Sequence, residues 1–300
     1  MRSFKSLLLP LLLAVSVAPC PVDATDLELN GEGLLWRITA ANGAVSHLFG
    51  TVHSTDERVL TLPEPAQRAF DVSRSAAFEI LLTDAVEQQM AEAMVLPHGH
   101  SLSQLVGPEL FNAISGVAGE YSIPIDVLQP LKPWALIAIF SFPPEELVRR
   151  QQGMPSLDER LQDEARLAGK EVVALERPED QIAVFESLTV DQQVAIVASM
   201  VEDSASVRNW FEELLQLYLQ RDVAGIYEYL VEQTTPEDST LTEIFEQRII
   251  FARNIKMAAT MNPLLERGGV FVAIGALHLP GREGVVNLLA RRGYKVERIY

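Results

Sequence analysis

The strongest constraint on this chain is a local pattern that occurs near each end. Residues 48–63 read LFGTVHSTDERVLTLP and residues 271–281 read FVAIGALHLPG. In both, an apolar run ends in a glycine, a histidine follows three positions later, and a proline-bearing loop comes next. The pairs are Gly50 with His53 and Gly275 with His278. The chain has only five histidines, so a shared setting for two of them calls for an explanation. Short apolar runs bounded by turn signals read as buried strands. In open α/β sheets the loops beyond the carboxyl ends of the strands converge on ligands, so each GxxH sets its histidine where such a sheet builds a site. The glycine, having no β-carbon, allows either close backbone approach or a left-handed conformation at the bend. If the two strands are neighbours in one sheet, His53 and His278 meet despite their separation in sequence.

The chain between these blocks fits the same class. LLWRITAANGAVSHLFG alternates around Asn42-Gly43, the signature of a two-residue hairpin. Pro63-Glu64-Pro65 opens a helix over AQRAFDVS, and SAAFEI reads as a strand. From Asp84 to about Ala118 the pattern is helical, with breaks at LPHGHS and VGPE. Ser156 and Glu159 form a capping box for LDERLQDEARLAGK, Gly169 stops it, and EVVALE follows as a strand. Residues 180–232 and 240–262 read as long amphipathic helices joined by TTPEDST, expected to form a helical cap. GGVFVAIGALH is a buried strand, GREGVVNLLARRGY a helix and KVERIY a closing strand. The expected fold is α/β: a central mixed β-sheet flanked by helices, with the N- and C-terminal strand-GxxH-helix-strand blocks meeting.

Residues 1–24, MRSFKSLLLPLLLAVSVAPCPVDA, carry Arg2 and Lys5, an apolar stretch and a Val22-Asp23-Ala24 exit. This reads as a secretory signal peptide, too short and wrongly flanked for a membrane span. The mature domain is expected over 25–300, periplasmic or secreted, with no membrane span after signal cleavage. Pro19 before Cys20 does not suit a lipoprotein signal. The single cysteine, Cys20, leaves with the leader, so the exported chain folds without disulfides. With 48% hydrophobic residues in 300 there is ample material for one large core. A net charge of −17 argues against nucleic acid, whose phosphates need clustered Lys and Arg. A metal would have to use His, Asp and Glu.

Two imidazoles with a carboxylate suit a divalent metal that keeps open positions. Glu79 in AAFEI and Glu176 in VVALER each stand in or at the end of an apolar strand, where a carboxylate is costly unless compensated. Either is a candidate metal ligand or general base. Each would equally serve as an ion-pair partner of Arg253, Arg68 or Arg74 at the sheet edge. His47 reads as a strand residue facing partly to solvent, His98 and His100 as members of a polar loop, and Trp210, Leu214 and Leu217 as helical core.

Four stretches together resemble the TraB/GumN (TraB/PrgY/GumN) family, to which the Tiki proteins are related. They are LFGTVHSTDERVLTLP, GMPSLDERLQDEARLAGKEVVALERPEDQIAVFESL, RNIKMAATM and FVAIGALHLPGREGVVNLLARRGYKVERIY, and the resemblance spans Leu34 to Tyr300. It implies an exported or membrane-associated α/β protein. Its Tiki branch comprises proteases using two GxxH motifs and a glutamate with manganese (Mn2+) or cobalt (Co2+); zinc (Zn2+) is also admissible here. TraB-like members are linked to shutdown of peptide pheromones. Carried over, the motif residues are Gly50, His53, Gly275 and His278, and the glutamate is Glu79. Arg253 and Asn254 match the family's RN helix, Arg253 as an oxyanion stabiliser and Asn254 as a substrate-binding residue. Unlike Tiki proteins, the chain shows no anchoring helix after cleavage.

The expected function is that of an exported metal-dependent hydrolase acting on a peptide or protein substrate. His53 and His278 would hold the metal, Glu79 would ligate it or act as base, and Glu176 would orient or assist. A non-catalytic peptide- or signal-binding protein and a hydrolase of non-peptide esters are the alternatives. The sequence sets no oligomeric state.

Overall fold

The computed structural model describes residues 30–234 and 245–300. The expected signal peptide, most of the TTPEDST loop and the start of the helix expected over 240–262 lie outside the described residues. A six-stranded sheet runs in the order β4-β3-β5-β2-β1-β6. Its strands are β1 (Leu35–Thr39), β2 (Val45–Thr51), β3 (Ser75–Phe78), β4 (Glu171–Ala174), β5 (Val270–Gly275) and β6 (Lys295–Arg298). β4, β3, β5 and β2 are mutually parallel, while β1 is antiparallel to both β2 and β6. This is the mixed α/β sheet expected from the sequence. β5 is the central strand and all but its last residue is buried, which explains its unbroken apolar run.

β2 and β5, the strands that carry the two GxxH glycines, lie side by side with Gly50 opposite Ile274 and Thr51 opposite Gly275. Phe78 of β3 pairs with Ala273 on one side and Ala174 of β4 on the other. The backbone pairing continues one step beyond the strands, where the Glu176 N–H donates to the Glu79 carbonyl at 2.8 Å. Four parallel strands therefore end at one edge, and His53, His278, Glu79 and Glu176 all follow those ends.

The β1–β2 hairpin differs from the two-residue form. The Ala40 N–H donates to the Ala44 carbonyl at 2.9 Å, which closes a loop of residues 41–43. Gly43 at φ +83° takes the left-handed position that a three-residue loop requires. The long helix expected over 180–232 is in fact four: Pro178–Glu186, Val190–Glu202, Val207–Gln220 and Val223–Thr234. Amphipathic period alone does not register the breaks. Thr189 caps the second helix through its side chain, and Arg221 ends the third in a left-handed conformation at φ +66°.

Among the described residues two large cores organise the helices, and a small third one joins Tyr227 to Ile250. The main one joins the sheet to Phe70, Leu161, Leu214 and Met257, with Phe271 of β5 at its centre against the rings of Phe49 and Phe70 at 5.8 and 5.3 Å. The second gathers Leu102, Ile114, Leu136 and Val197 from helices Leu102–Glu120, Pro133–Phe140 and Val190–Glu202. Residues from the region expected as a cap contribute to all three: Leu214 and Met257 to the first, Val197 to the second, Tyr227 and Ile250 to the third. Among the described residues no helix is long and apolar enough to cross a membrane.

Neither GxxH glycine has a left-handed φ; both answer to close approach. A β-carbon on Gly50 would stand 2.6 Å from Leu279 Cδ1 and 3.3 Å from the Ala276 backbone, so the first motif touches the turn that carries the second. A β-carbon on Gly275 would lie 3.2 Å from Glu79 Oε1. Gly50→Ala is therefore expected to lower stability by about 1–3 kcal/mol through overpacking. Urea denaturation is the check, and the added Leu279→Ala change should recover part of the loss; an unaltered midpoint for Gly50→Ala would contradict the packing.

Candidate active site

His278 sits in the short turn Ala276–His278 after β5 and is 5% exposed at its side chain. Its orientation follows from a chain of hydrogen bonds. The Glu283 carbonyl needs a donor and takes Asn254 Nδ2 at 2.8 Å, so Asn254 Oδ1 faces the imidazole, 2.7 Å from His278 Nδ1. Nδ1 must therefore carry the proton and Nε2 a lone pair. Burial holds the ring neutral by lowering its pKa to about 4. That lone pair faces Glu79 Oε1 at 3.8 Å, an acceptor opposite an acceptor.

Glu79 comes directly after β3. Its Oε1 accepts the Gly275 N–H at 2.6 Å and its Oε2 accepts from Arg253 Nη2 at 2.6 Å. Burial alone would raise its pKa, but the Arg253 guanidinium, the two imidazoles and the Gly275 amide reverse this and hold it below the usual carboxylate range. Arg253 also grips Glu176 through Nε at 3.0 and 3.1 Å and Nη2 at 2.6 Å. The Glu176 side chain is fully buried, so this one guanidinium compensates two carboxylates in the interior. The arginine starts the regular helix Ala252–Arg267 just after a π-helical stretch, Phe245–Phe251. Such local widening often accompanies functional positions.

His53 is held differently. Its Nδ1 lies 2.8 Å from Asp158 Oδ2, and the other Asp158 oxygen accepts from Thr51 Oγ1 at 2.6 Å. Asp158 stands in the first turn of helix Leu157–Leu167, where the helix dipole favours a carboxylate. The Asp158 charge raises the His53 pKa to about 9, although the ring is 51% exposed and water screens part of that attraction. The loop beyond it is fixed by the fully buried Glu146, which accepts from Ser54 Oγ, Thr55 N–H, Thr55 Oγ1 and Arg149. Tyr218 donates its hydroxyl to the Gly50 carbonyl at 2.9 Å and so secures the end of β2.

His53, Glu79, Arg253, Gly275 and His278 line one cavity. Glu176 and Asn254 stand behind it, the first on Arg253 and the second on His278. Among the arginines weighed as partners for the glutamates, Arg253 serves both; Arg68 and Arg74 pair elsewhere. His47 is a half-buried strand residue, while His98 and His100 are exposed in the loop before Leu102. Sequence reasoning missed Asp158, Thr51, Glu146 and Tyr218.

As a metal test, the donor set is two imidazoles whose Nδ1 atoms are occupied by outer partners, leaving Nε2 of each for the cavity, together with Glu79 Oε1. This is how ligating histidines are oriented, and it fits a divalent cation. Among the described residues no three His, Cys, Asp or Glu side chains are gathered closely enough to hold an ion unaided.

The model of the TraB/PrgY/gumN family matches residues 34–298. The chain belongs to that family. It is 26% identical over 332 residues to Metalloprotease TIKI2 of Danio rerio, covering 94% of this chain and 63% of the relative. Against Metalloprotease TIKI1 of Homo sapiens it is 25% identical over 342 residues, 95% and 65% of the two chains. Metalloprotease TIKI homolog of Nematostella vectensis is 22% identical over 333 residues, covering 92% and 69%. The chain thus spans somewhat less than two thirds of the first two relatives. No solved structure matches it.

Two outcomes are expected from this geometry. In the metal-free protein at neutral pH His53 is imidazolium and His278 neutral, so NMR titration should find them on opposite sides of pH 7, with Asp158→Asn moving His53 down toward 6.5. The His53 pair stabilises the fold fully below pH 6.5 and loses that contribution as pH rises through about 9. Arg253→Met strands two buried carboxylates and is expected to cost about 3–5 kcal/mol in denaturant unfolding; a cost under about 1 kcal/mol would contradict the pairing.

Proposed function

We propose that this chain is an exported metal-dependent peptidase. The observation that carries this reading is the His278 lone pair facing Glu79 Oε1 at 3.8 Å, with both atoms fixed by other hydrogen bonds. Two electron-pair donors held face to face in a buried setting repel unless a cation or a hydrogen-bond donor lies between them, and imidazoles with a carboxylate suit a divalent cation. His53 Nε2 and His278 Nε2 would hold the ion, with Glu79 Oε1 as the third protein donor. When bound, a divalent cation supplies Lewis-acid polarisation of a peptide carbonyl and of water.

The protein's own groups divide the remaining work. Glu79, held below the usual carboxylate range, suits anchoring positive charge better than accepting a proton, because an efficient base has a pKa near the working pH. Glu176 and Glu79 engage Nε and Nη2 of Arg253, which leaves Nη1, only 3.5 Å from the Ile249 carbonyl, to meet negative charge developing on a substrate oxygen. Asn254 orients His278 and Asp158 orients His53. Manganese or cobalt is the proposed ion, and the helices within 180–262 contribute walls to the cleft.

Stripping the purified protein of metal and restoring manganese or cobalt should abolish and restore peptide cleavage. Asp158→Asn is expected to weaken metal affinity about 10–100-fold through the outer partner of His53. Equal turnover with His53→Ala, or a stripped protein that takes up no ion by calorimetry, would end the reading. Peptide binding that persists with no turnover under any ion would favour a binding protein instead.

A further inference from the structure

Two cavities open from the His53, Glu79 and Arg253 group, and they also share Ser141, Phe142 and Ile249. They are two arms of one cleft that meet at the candidate site. The larger arm, about 410 Å³, is mixed in character, with Arg150, Glu159, Gln162 and Gln181 among its walls. The smaller, about 230 Å³, is largely apolar apart from the candidate-site groups, Thr51, Ser141 and Tyr218: its other walls include Phe142, Trp210, Phe211, Leu214, Ile226 and Ile249. Phe142 lines both arms, with the Arg150 guanidinium 5.4 Å from its ring centre.

The apolar arm is preformed. Phe142 meets Phe211 edge-on at 5.8 Å, and Phe211 lies 6.3 Å from Trp210, so three aromatic rings fix one another. Phe211 and Ile226 are buried, and Leu214 is 8% exposed, which sets a rigid floor. An apolar cavity of roughly 150 Å³ accommodates a benzene ring; a cavity of about 230 Å³ has room for a leucine, methionine or phenylalanine side chain. A charged or short polar side chain would be desolvated against the apolar walls and would gain partners only from the candidate-site groups and the few hydroxyls beside them.

We infer that the apolar arm is the specificity subsite for one bulky apolar residue beside the scissile bond, so that the substrate class is peptides bearing Leu, Met or Phe at that position. The remainder of the peptide then leaves along the mixed arm, where its backbone and polar side chains find hydrogen-bonding walls. This rests on the peptidase reading for the word scissile, but the side-chain preference itself is a binding property and is open to test without turnover.

The test uses the metal-free protein, so that no hydrolysis intervenes. Hexapeptides of alanine and serine in which a single leucine is moved along the chain are titrated by calorimetry. One register is expected to bind at least about 10-fold tighter than the all-small peptide, the scale of discrimination an apolar pocket gives. Trp210 provides a second readout, since Trp36 and Trp134 are fully buried; its emission should shift with the leucine peptide and not with the small one. Leu230→Trp, at a wall of the apolar arm alone, fills that arm and should abolish the leucine preference while leaving the all-small peptide unchanged. Trp210→Ala enlarges it and should move the preference toward tryptophan. Circular dichroism verifies that both half-buried positions tolerate the change. Equal affinity across the set, no binding at all, or a leucine preference untouched by both variants would overturn the subsite, even if the metal-loaded protein cleaves peptides. A leucine preference that both variants alter, without turnover under any ion, would sustain the subsite and sink the peptidase reading alone.

Discussion

Everything at the candidate site depends on the parallel pairing of β2 with β5. The register that sets Thr51 opposite Gly275 brings the ends of two strands from opposite ends of the sequence to one sheet edge. It also brings Gly50 against the turn that holds His278, so tightly that the first motif has no room for a β-carbon. The glycines are therefore part of the site in a steric sense: one lets the two histidine turns approach, and the other lets a carboxylate reach the Gly275 amide. A one-residue slip would turn every side chain of β5 to the opposite face and part the two histidine turns.

Around this edge the protein arranges charge in two shells. At the cavity are two imidazoles, Glu79 and Arg253; behind them, Asp158 fixes His53, Asn254 fixes His278 and Glu176 fixes Arg253, which in turn holds Glu79. The two histidines receive opposite treatment. His53, half exposed and next to a carboxylate, favours a proton, while His278, enclosed and next to an amide, refuses one. An ion that replaced the proton on His53 would find the second nitrogen already free, a coupling of protonation to metal uptake.

Much of this was legible from residue order. The repeated GxxH, the apolar strands and the two glutamates inside them pointed to one shared edge, because an isolated carboxylate in an apolar run has to be compensated by something. Arg253 was among the three arginines weighed for that task, and the structure gives it both glutamates. Other residues left no readable trace. Asp158 occupies the first turn of a capped helix, where an acidic residue is ordinary, and 105 positions separate it from His53. Glu146 follows two prolines at a helix start for the same everyday reason. Asn254 was noticed only through the family resemblance, and its place behind His278 depends on the Glu283 carbonyl, a backbone group that no side-chain pattern reports. The breaks within 180–232 went unseen because capping by Thr189 and a left-handed Arg221 leave the amphipathic period almost unchanged.

The central position of β5 has a consequence for how the chain comes into being. Until residues 270–275 have been synthesised, β2 and β3 have no strand between them, and the sheet exists as two halves with bare inner edges. Those edges are apolar and ready to pair with any passing strand, a recognised hazard for slow, long-range topologies. A nascent chain of this design needs shielding until that segment has been made. In return, no chain lacking that segment can present the histidine pair, so whatever chemistry the cleft performs is withheld until β5 is in place.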